Sequence, residues 1–507
     1  MNFVKYVDDS TSKYLNQITK IERKKIGQFF TNSQTAAYMG SLIKKEQGEL
    51  NILDPGAGSG ILSAAVLEYL YNSSVVSKIN LDLYENNVDI VPILKSNLDF
   101  MKNELLKHGK VLNYNIYIEN FIISNKEDWE GGLQGNRYDI IISNPPYLKI
   151  SKDAPESKVM SSIVFGQPNI YFLFMAMAAH LLKDDGELVF IVPRSFASGL
   201  YFTAFRKYFF KKVKVTNLHL FVSRDDVFNC DSILQETIIL RAVKTVETQS
   251  FIKITESESS ESFKNRATFM VPYKTCVRDD SNSFFFLPTK EDDIGILEFI
   301  NGWSFTLPEI GFKLKTGLTV DFRNTRWLQS EKGGSSIPLL WSHNVHGGRV
   351  VFPVRSGSKQ QYVIATDETR QLQMKIDNYV ILKRFTSKEE RRRLQCAIIE
   401  KEQFSEYPSI STENHLNYIT KVSGKMSKEE MYGIFLIFNT SYMDKYFRIL
   451  NGSTQVNANE INSMPVPSYE DVVLLGGELI KSNRLDEEMC DGILENRYMN
   501  PVMLKAE

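Results

Sequence analysis

A chain of 507 residues is too long for a single hydrophobic core, so two or more domains are expected. Its net charge of −1 and pI near 6.7 exclude a polycation that holds nucleic acid by overall charge, although local basic stripes remain possible. The four cysteines, Cys230, Cys276, Cys396 and Cys490, lie far apart with no C-x-x-C pair, which argues against a zinc knuckle or a disulfide scaffold and points to a reduced, cytoplasmic setting.

The opening stretch MNFVKYVDDSTSKYLNQITK is polar, without an apolar core or a small-residue cleavage site, so no signal peptide is expected. From about residue 50 to 245, short aliphatic runs alternate with helical stretches, the pattern of a βαβ sheet. ELNILD reads as the first strand, followed by a glycine loop and the helical ILSAAVLEYL; INLDLYE, NYNIYIENF and YDIIIS read as the next three strands. The thirteen residues Ile170 to Leu182 are too few to span a bilayer and predict a buried helix. After the turn KDDGE comes the strand LVFIVP, and SILQETIIL alternates like an antiparallel edge strand. The rhythm then changes, and the serine and glutamate run TESESSESF reads as a solvated connector. These features place a domain boundary in 244–262, giving domains 1–245 and 246–507; the second has no βαβ period.

Four strand ends carry chemistry. LDPGAGSG, Leu53 to Gly60, offers Gly56, Gly58 and Gly60 for positive φ and close ligand approach, next to a helix N-terminus. Its G-x-G-x-G spacing departs from the G-x-G-x-x-G of dinucleotide sites. Glu85 ends the second strand where a carboxylate can accept both hydroxyls of a ribose, and Asn120 and Phe121 end the third, offering a polar contact and an apolar wall. The fourth strand stops at Asn144-Pro145-Pro146-Tyr147, where two prolines remove N–H donors and turn the chain out of the sheet.

This ordered set resembles the S-adenosylmethionine-dependent methyltransferases that modify exocyclic amino groups of DNA bases. Asn144-Pro145-Pro146-Tyr147 matches the family's catalytic motif in full, and LDPGAGSG its cofactor loop, including Asp54. IGQFFT at 26–31, ending on Thr31, is similar to the segment that folds over the cofactor's methionine, within a lid of about 20–40. Lid, sheet and target-recognition region follow in the order of the gamma group of adenine N6-methyltransferases. The segments NYVILKRFTSKEERRRL, TENHLNYI and NGSTQVNANEINSMPVP resemble type II modification enzymes of the PstI and BsuBI kind, which implies a CTGCAG target and a cognate restriction endonuclease.

The resemblance implies an α/β, Rossmann-like catalytic sheet with a separate, mixed C-terminal target-recognition domain, acting on double-stranded DNA with S-adenosylmethionine as cofactor and no metal or membrane. It implies that Asn144 and Pro145 accept the two N6 hydrogens of a flipped adenine, that Tyr147 stacks on the base, and that Phe228 closes the other face. Many relatives have an aspartate at the position of Asn120, accepting from the cofactor's own adenine amino group; an asparagine carbonyl accepts without the charge assistance.

For reading DNA, residues 313–355 hold seven basic side chains against two acidic ones, interleaved with Phe322, Trp327, Trp341 and Phe352. A second stripe at 383–393 reads either as a phosphate contact or as a solvated helix face. Candidates are Arg323, Arg326, Arg349, Arg391, Arg392, Asn414 and Asn457. One target-reading region per chain implies a monomer. Two rival readings remain: a protein glutamine N5-methyltransferase, whose substrate amide poses the same lone-pair problem, and a non-catalytic DNA-specificity protein.

Overall fold

The computed structural model describes residues 2–15, 19, 31–131, 137–221, 237–257, 263, 266–354, 359–387 and 389–499. The chain forms two compact units, Met1–Glu291 and Asp292–Glu507.

In the first unit, helices α1 (Phe3–Leu15) and α2 (Ser33–Ser41) precede β1 (Glu49–Asp54), α3 (Ile61–Tyr71), β2 (Lys78–Tyr84), α4 (Val91–Lys107) and β3 (Val111–Tyr117). Short helices α5 (Phe121–Ser124) and α6 (Lys126–Gly131) lead to β4 (Tyr138–Ser143), α7 (Pro155–Val159), α8 (Ile170–Leu181) and β5 (Leu182–Pro193). Then come α9 (Thr203–Lys212), β6 (Lys214–Phe221), β7 (Thr237–Val243), β8 (Phe251–Ser257) and β9 (Ala267–Pro272). All nine strands join one sheet in the order β3-β2-β1-β4-β5-β7-β6-β8-β9. Strands β1 to β5 run parallel, with Ile52 beside Ile140 and Leu53 beside Ile141. Helices cover the middle of the sheet, which is why Ile140, Ile141 and Ile142 are all fully buried and β4 is an unbroken aliphatic run.

Helix α8 is apolar almost all round and buries every side chain but His180; Asn169 caps it by accepting from the Tyr171 N–H. No helix among the described residues is long and apolar enough to cross a membrane.

In the placing of β7 and in the end of the first unit the structure differs from the sequence reading. Strand β7 is antiparallel, but it lies between β5 and β6 rather than at an edge, because β6 supplies its second ladder. The first unit also continues to Glu291, past the boundary expected in 244–262. There, β8 and β9 extend the sheet, and Phe285, Phe286 and Leu287 are fully buried. The wholly buried Arg206 guanidinium fastens this return by donating to the carbonyls of Asn282 and Ser283 as well as Phe196 and Gly199.

The second unit is built on a six-stranded sheet in which Leu416–Lys421 pairs with both Phe312–Thr316 and Tyr379–Lys383, the latter continuing to Cys396–Ile399. It also holds a four-stranded sheet and several helices, among them α10 (Lys428–Asn439) and α11 (Tyr469–Ser482). Helix α10 begins with a capping box in which Ser427 and Glu430 satisfy each other's backbone N–H.

Candidate active site

From β1 the chain winds outward to β2 and β3, then returns to β4 on the other side of β1, so the winding direction reverses between β1 and β4. Loops leaving the carboxyl ends of two such strands diverge and open a crevice. Here those loops are the glycine loop and Asn144-Pro145-Pro146. Together they line one cavity of about 510 Å³ with Thr31, Glu85, Asn120 and Phe121, within the size range of small-molecule sites.

Gly58 and Gly60 have φ of +55° and +86°, and Gly60 starts α3. Gly56, expected to share that conformation, does not have positive φ, and a Cβ there would come no closer than 3.8 Å to its neighbours. Gly56 lines the cavity, so its bareness leaves room for a ligand rather than for the fold.

Asp54 is completely buried behind the loop, where it accepts from the Ser63 hydroxyl at 2.8 Å. Burial pushes its carboxyl up to about 7, against the lowering effect of bonds from Ser63 and the Gly56 N–H. Between the unfolded value of about 4 and this one, the folded state binds the extra proton, so stability falls as pH rises through that window and levels off above it. Asp54→Asn should remove this contribution: between pH 5 and pH 8, unfolding in denaturant should show wild type losing on the order of a few kcal/mol more stability than the variant.

Glu85 is buried at the end of β2, and its two oxygens accept from the Gly58 N–H at 2.8 Å and the Asn87 N–H at 2.7 Å. These bonds lock the carboxylate to the glycine loop while leaving lone pairs for a diol. Phe121 is buried beside Tyr84 and Phe174, each ring centroid 5.2 Å away. The Asn120 side-chain oxygen caps α5 by accepting from the N–H groups of Ile122 and Ile123, and its amide donates to Glu156 at 2.7 Å.

On the other flank, the Asn144 amide donates to the buried Thr31 hydroxyl at 3.1 Å. That bond restrains the amide plane. Tyr147 is half-buried, with its hydroxyl donating to the Ile191 carbonyl at the end of β5 at 3.0 Å, so its ring is anchored. Burial raises its hydroxyl well above the ordinary tyrosine range. Phe228 and residues 26–30 lie outside the described residues.

Sequence reasoning missed Leu148, Ile150, Glu156 and Phe174, which also line the cavity. Leu148 and Ile150 get there because the chain after Tyr147 pairs with the segment entering α8, through Ile170 N–H to Leu148 O and Ile150 N–H to Pro168 O. No local pattern signals such a pairing.

In the second unit, three loops meet around Arg384. Its N–H donates to the His415 carbonyl, its guanidinium to the Asn414 carbonyl, and its own carbonyl accepts from Val456. Asn414 and Asn457 therefore share one patch, joined by Thr319 through the Asn414 N–H and so by the turn carrying Arg323. Arg323 and Arg326 are exposed, their guanidiniums 5.5 Å from the Phe322 ring and 4.7 Å from the Trp327 ring. Arg349 lies 3.6 Å from Glu400. Arg391 is 81% exposed, whereas Arg392 is enclosed, paired with Glu487 and directed at the Phe438 and Thr440 carbonyls. The 383–393 stripe forms no helix among its described residues. Asp444 takes the Arg393 and Leu394 N–H groups at 2.7 Å, holding the backbone in an irregular loop.

Residues 62–228 match the Eco57I restriction-modification methylase family. The fold and the paired strand-end motifs thus define a methyltransferase of the restriction–modification class. The chain is 31% identical over 500 residues to the type II methyltransferase M.BsuBI of Bacillus subtilis, covering 97% of each chain. It is also 31% identical over 455 residues to M.PstI of Providencia stuartii, covering 88% of each. The chain belongs to the family of these type II methyltransferases. The solved structure of the type IIL restriction-modification enzyme MmeI in complex with DNA shares the fold, with a TM-score of 0.53 over 98% of this chain and 75% of that one at 13% identity.

Proposed function

We propose that the protein is a site-specific DNA methyltransferase that transfers a methyl group from S-adenosylmethionine to N6 of an adenine swung out of the duplex. We propose CTGCAG as its site, a cognate restriction endonuclease as its functional partner, and action as a cytoplasmic monomer on one adenine per encounter. The observation that carries this reading is the single cavity in which the glycine loop and Glu85 meet an Asn144 amide oriented by Thr31.

The donor set fits S-adenosylmethionine: bare glycine backbone, a carboxylate placed for a ribose diol, and an apolar wall at Phe121. Thr31, Gly56, Gly58, Glu85 and Phe121 would hold it, and when bound it supplies an electrophilic methyl on a sulfonium. The adenine N6 lone pair is conjugated into the ring and is a poor nucleophile. With its nitrogen tied to Thr31, Asn144 presents its side-chain oxygen as an acceptor. That oxygen and the Pro145 carbonyl, each accepting one N6 hydrogen, localise the lone pair. The two prolines hold these acceptors at fixed angles with no competing N–H. Turning the base out costs a few kcal/mol, and an anchored aromatic face can offset roughly 1–3 kcal/mol of it.

Tyr147 is proposed as that face. Tyr147→Ala should lower kcat/KM for DNA about 10- to 100-fold while cofactor affinity stays within a factor of about two. Fluorescence of a CTGCAG duplex with 2-aminopurine at the target position should report less extrusion in this variant than in wild type.

The catalytic role is proposed for the first unit and target recognition for the second, where Arg323, Asn414 and Asn457 converge with Arg384 as the group best placed to read base edges. Arg326, Arg349 and Arg391 would contact phosphates. Identity to M.BsuBI across both units favours this reading over a glutamine methyltransferase, which has no need of the second unit. Tritiated methyl from S-adenosylmethionine should appear in duplex DNA and not in release factor; label in release factor alone would select the rival.

A further inference from the structure

The cavity runs across the carboxyl ends of β4, β1, β2 and β3 in that spatial order. If the proposed reading of the pocket is right, the reacting methyl lies by Asn144 at the β4 end and the ribose hydroxyls by Glu85 at the β2 end. S-adenosylmethionine continues from its ribose directly to its adenine, so that ring must extend past Glu85 toward the end of β3. The wall there is Phe121, Leu148 and Ile150, suited to a flat apolar face, and the polar groups on it are Glu119, Asn120 and Glu156.

Asn120 is badly placed to accept from the ring. Its side-chain oxygen already takes two backbone N–H groups, at 3.1 and 3.2 Å, and its nitrogen can only donate. Glu119 is exposed and accepts from the Ser124 hydroxyl at 2.6 Å. Glu156, arriving on α7 from beyond the Asn-Pro-Pro-Tyr turn, is different. One of its oxygens is held by the Asn120 amide at 2.7 Å, and its carboxylate has no other hydrogen bond among the described residues.

We infer that Glu156 is the residue that recognises the cofactor's adenine, its carboxylate accepting from the exocyclic amino group, with Asn120 as the positioning residue that caps α5 and steers it. The negative charge absent from Asn120 is thus supplied from a different part of the chain. A carboxylate in this place favours adenine, which presents an N–H donor at position 6, over hypoxanthine, which presents an oxygen there and repels the acceptor.

The test rests on the proposed cofactor site and is read by binding alone. Affinities of S-adenosylhomocysteine and S-inosylhomocysteine, in which hypoxanthine replaces adenine, are measured by calorimetry for wild type and Glu156→Gln. Glutamine can still accept from Asn120 through its oxygen, so the scaffold is preserved. It also carries an N–H that can meet the hypoxanthine oxygen. Wild type should prefer the adenosyl compound roughly 10- to 100-fold, the range for a charge-assisted hydrogen bond against its loss. Glu156→Gln should bring the two affinities to within about threefold, chiefly by weakening the adenosyl compound. If Glu156→Gln weakens both compounds equally and leaves the preference intact, Glu156 only supports Asn120 and the inference fails while the cofactor site stands. If wild type binds neither compound, the cofactor site itself is wrong and the inference falls with it.

Discussion

Asn144→Ala is expected to reduce methyl transfer to DNA by at least ~10²–10³-fold, the usual consequence of deleting one preorganised group that stabilises developing charge. Affinity for S-adenosylmethionine should change less than about twofold, because the bonds that define the glycine loop and Glu85 do not involve Asn144. The fold should survive, since Asn144 is only partly buried. Single-turnover methylation and cofactor titration on the same preparation separate these effects. Loss of cofactor binding in parallel with turnover would instead make Asn144 part of the cofactor's seat.

The largest expected effect on stability lies in the second unit, where α10 and α11 touch backbone to backbone. A Cβ on Gly476 would sit 1.8 Å from the Glu429 carbonyl oxygen, and one on Gly433 would sit 1.8 Å from that of Val472. Neither obstacle is a side chain that can swing aside, so the helices must separate. Gly476→Ala should therefore cost about 3 kcal/mol or more. Its neighbour is the control: a Cβ on Gly477 meets nothing within 4 Å, and Gly477→Ala should stabilise by about 0.5–1 kcal/mol through helix propensity alone. Denaturant midpoints of the two variants should move in opposite directions. A shift of the same sign and size would mean that the helices do not meet at Gly476.

The nine-stranded sheet was legible where sequence and burial follow one simple rule. Runs such as Ile140 to Ile142 read directly as strands covered on both faces, and turns rich in glycine or proline marked the functional ends of β1 and β4. What escaped depended on contacts distant in sequence. Strand β6, with His219 buried among polar partners from β8, has no clean apolar signal, so in sequence β7 looks like an edge. The first unit outlasts its change of rhythm because Arg206 captures a segment 76 residues onward in the chain. The arginine-rich stripe has the composition of an exposed helix, but Asp444 takes its backbone N–H groups and Arg393 is completely buried, so tertiary bonding overrides local propensity. At the site itself, Asn144, Glu85 and the glycine loop were visible as motifs. Glu156 was not, because nothing in the stretch DAPES announces that it will lie against Asn120.

The proposed role of Asn144, methyl transfer to the amino group of adenine in DNA, can be read by expressing wild type and Asn144→Ala in a methylation-deficient bacterium and sequencing the native genomic DNA for modified bases. N6-methyladenine is expected at one fixed adenine of a single recurring site, CTGCAG, in the wild-type host and none in the variant. Genomic DNA free of N6-methyladenine in the wild-type host, or equally modified in both, would contradict it.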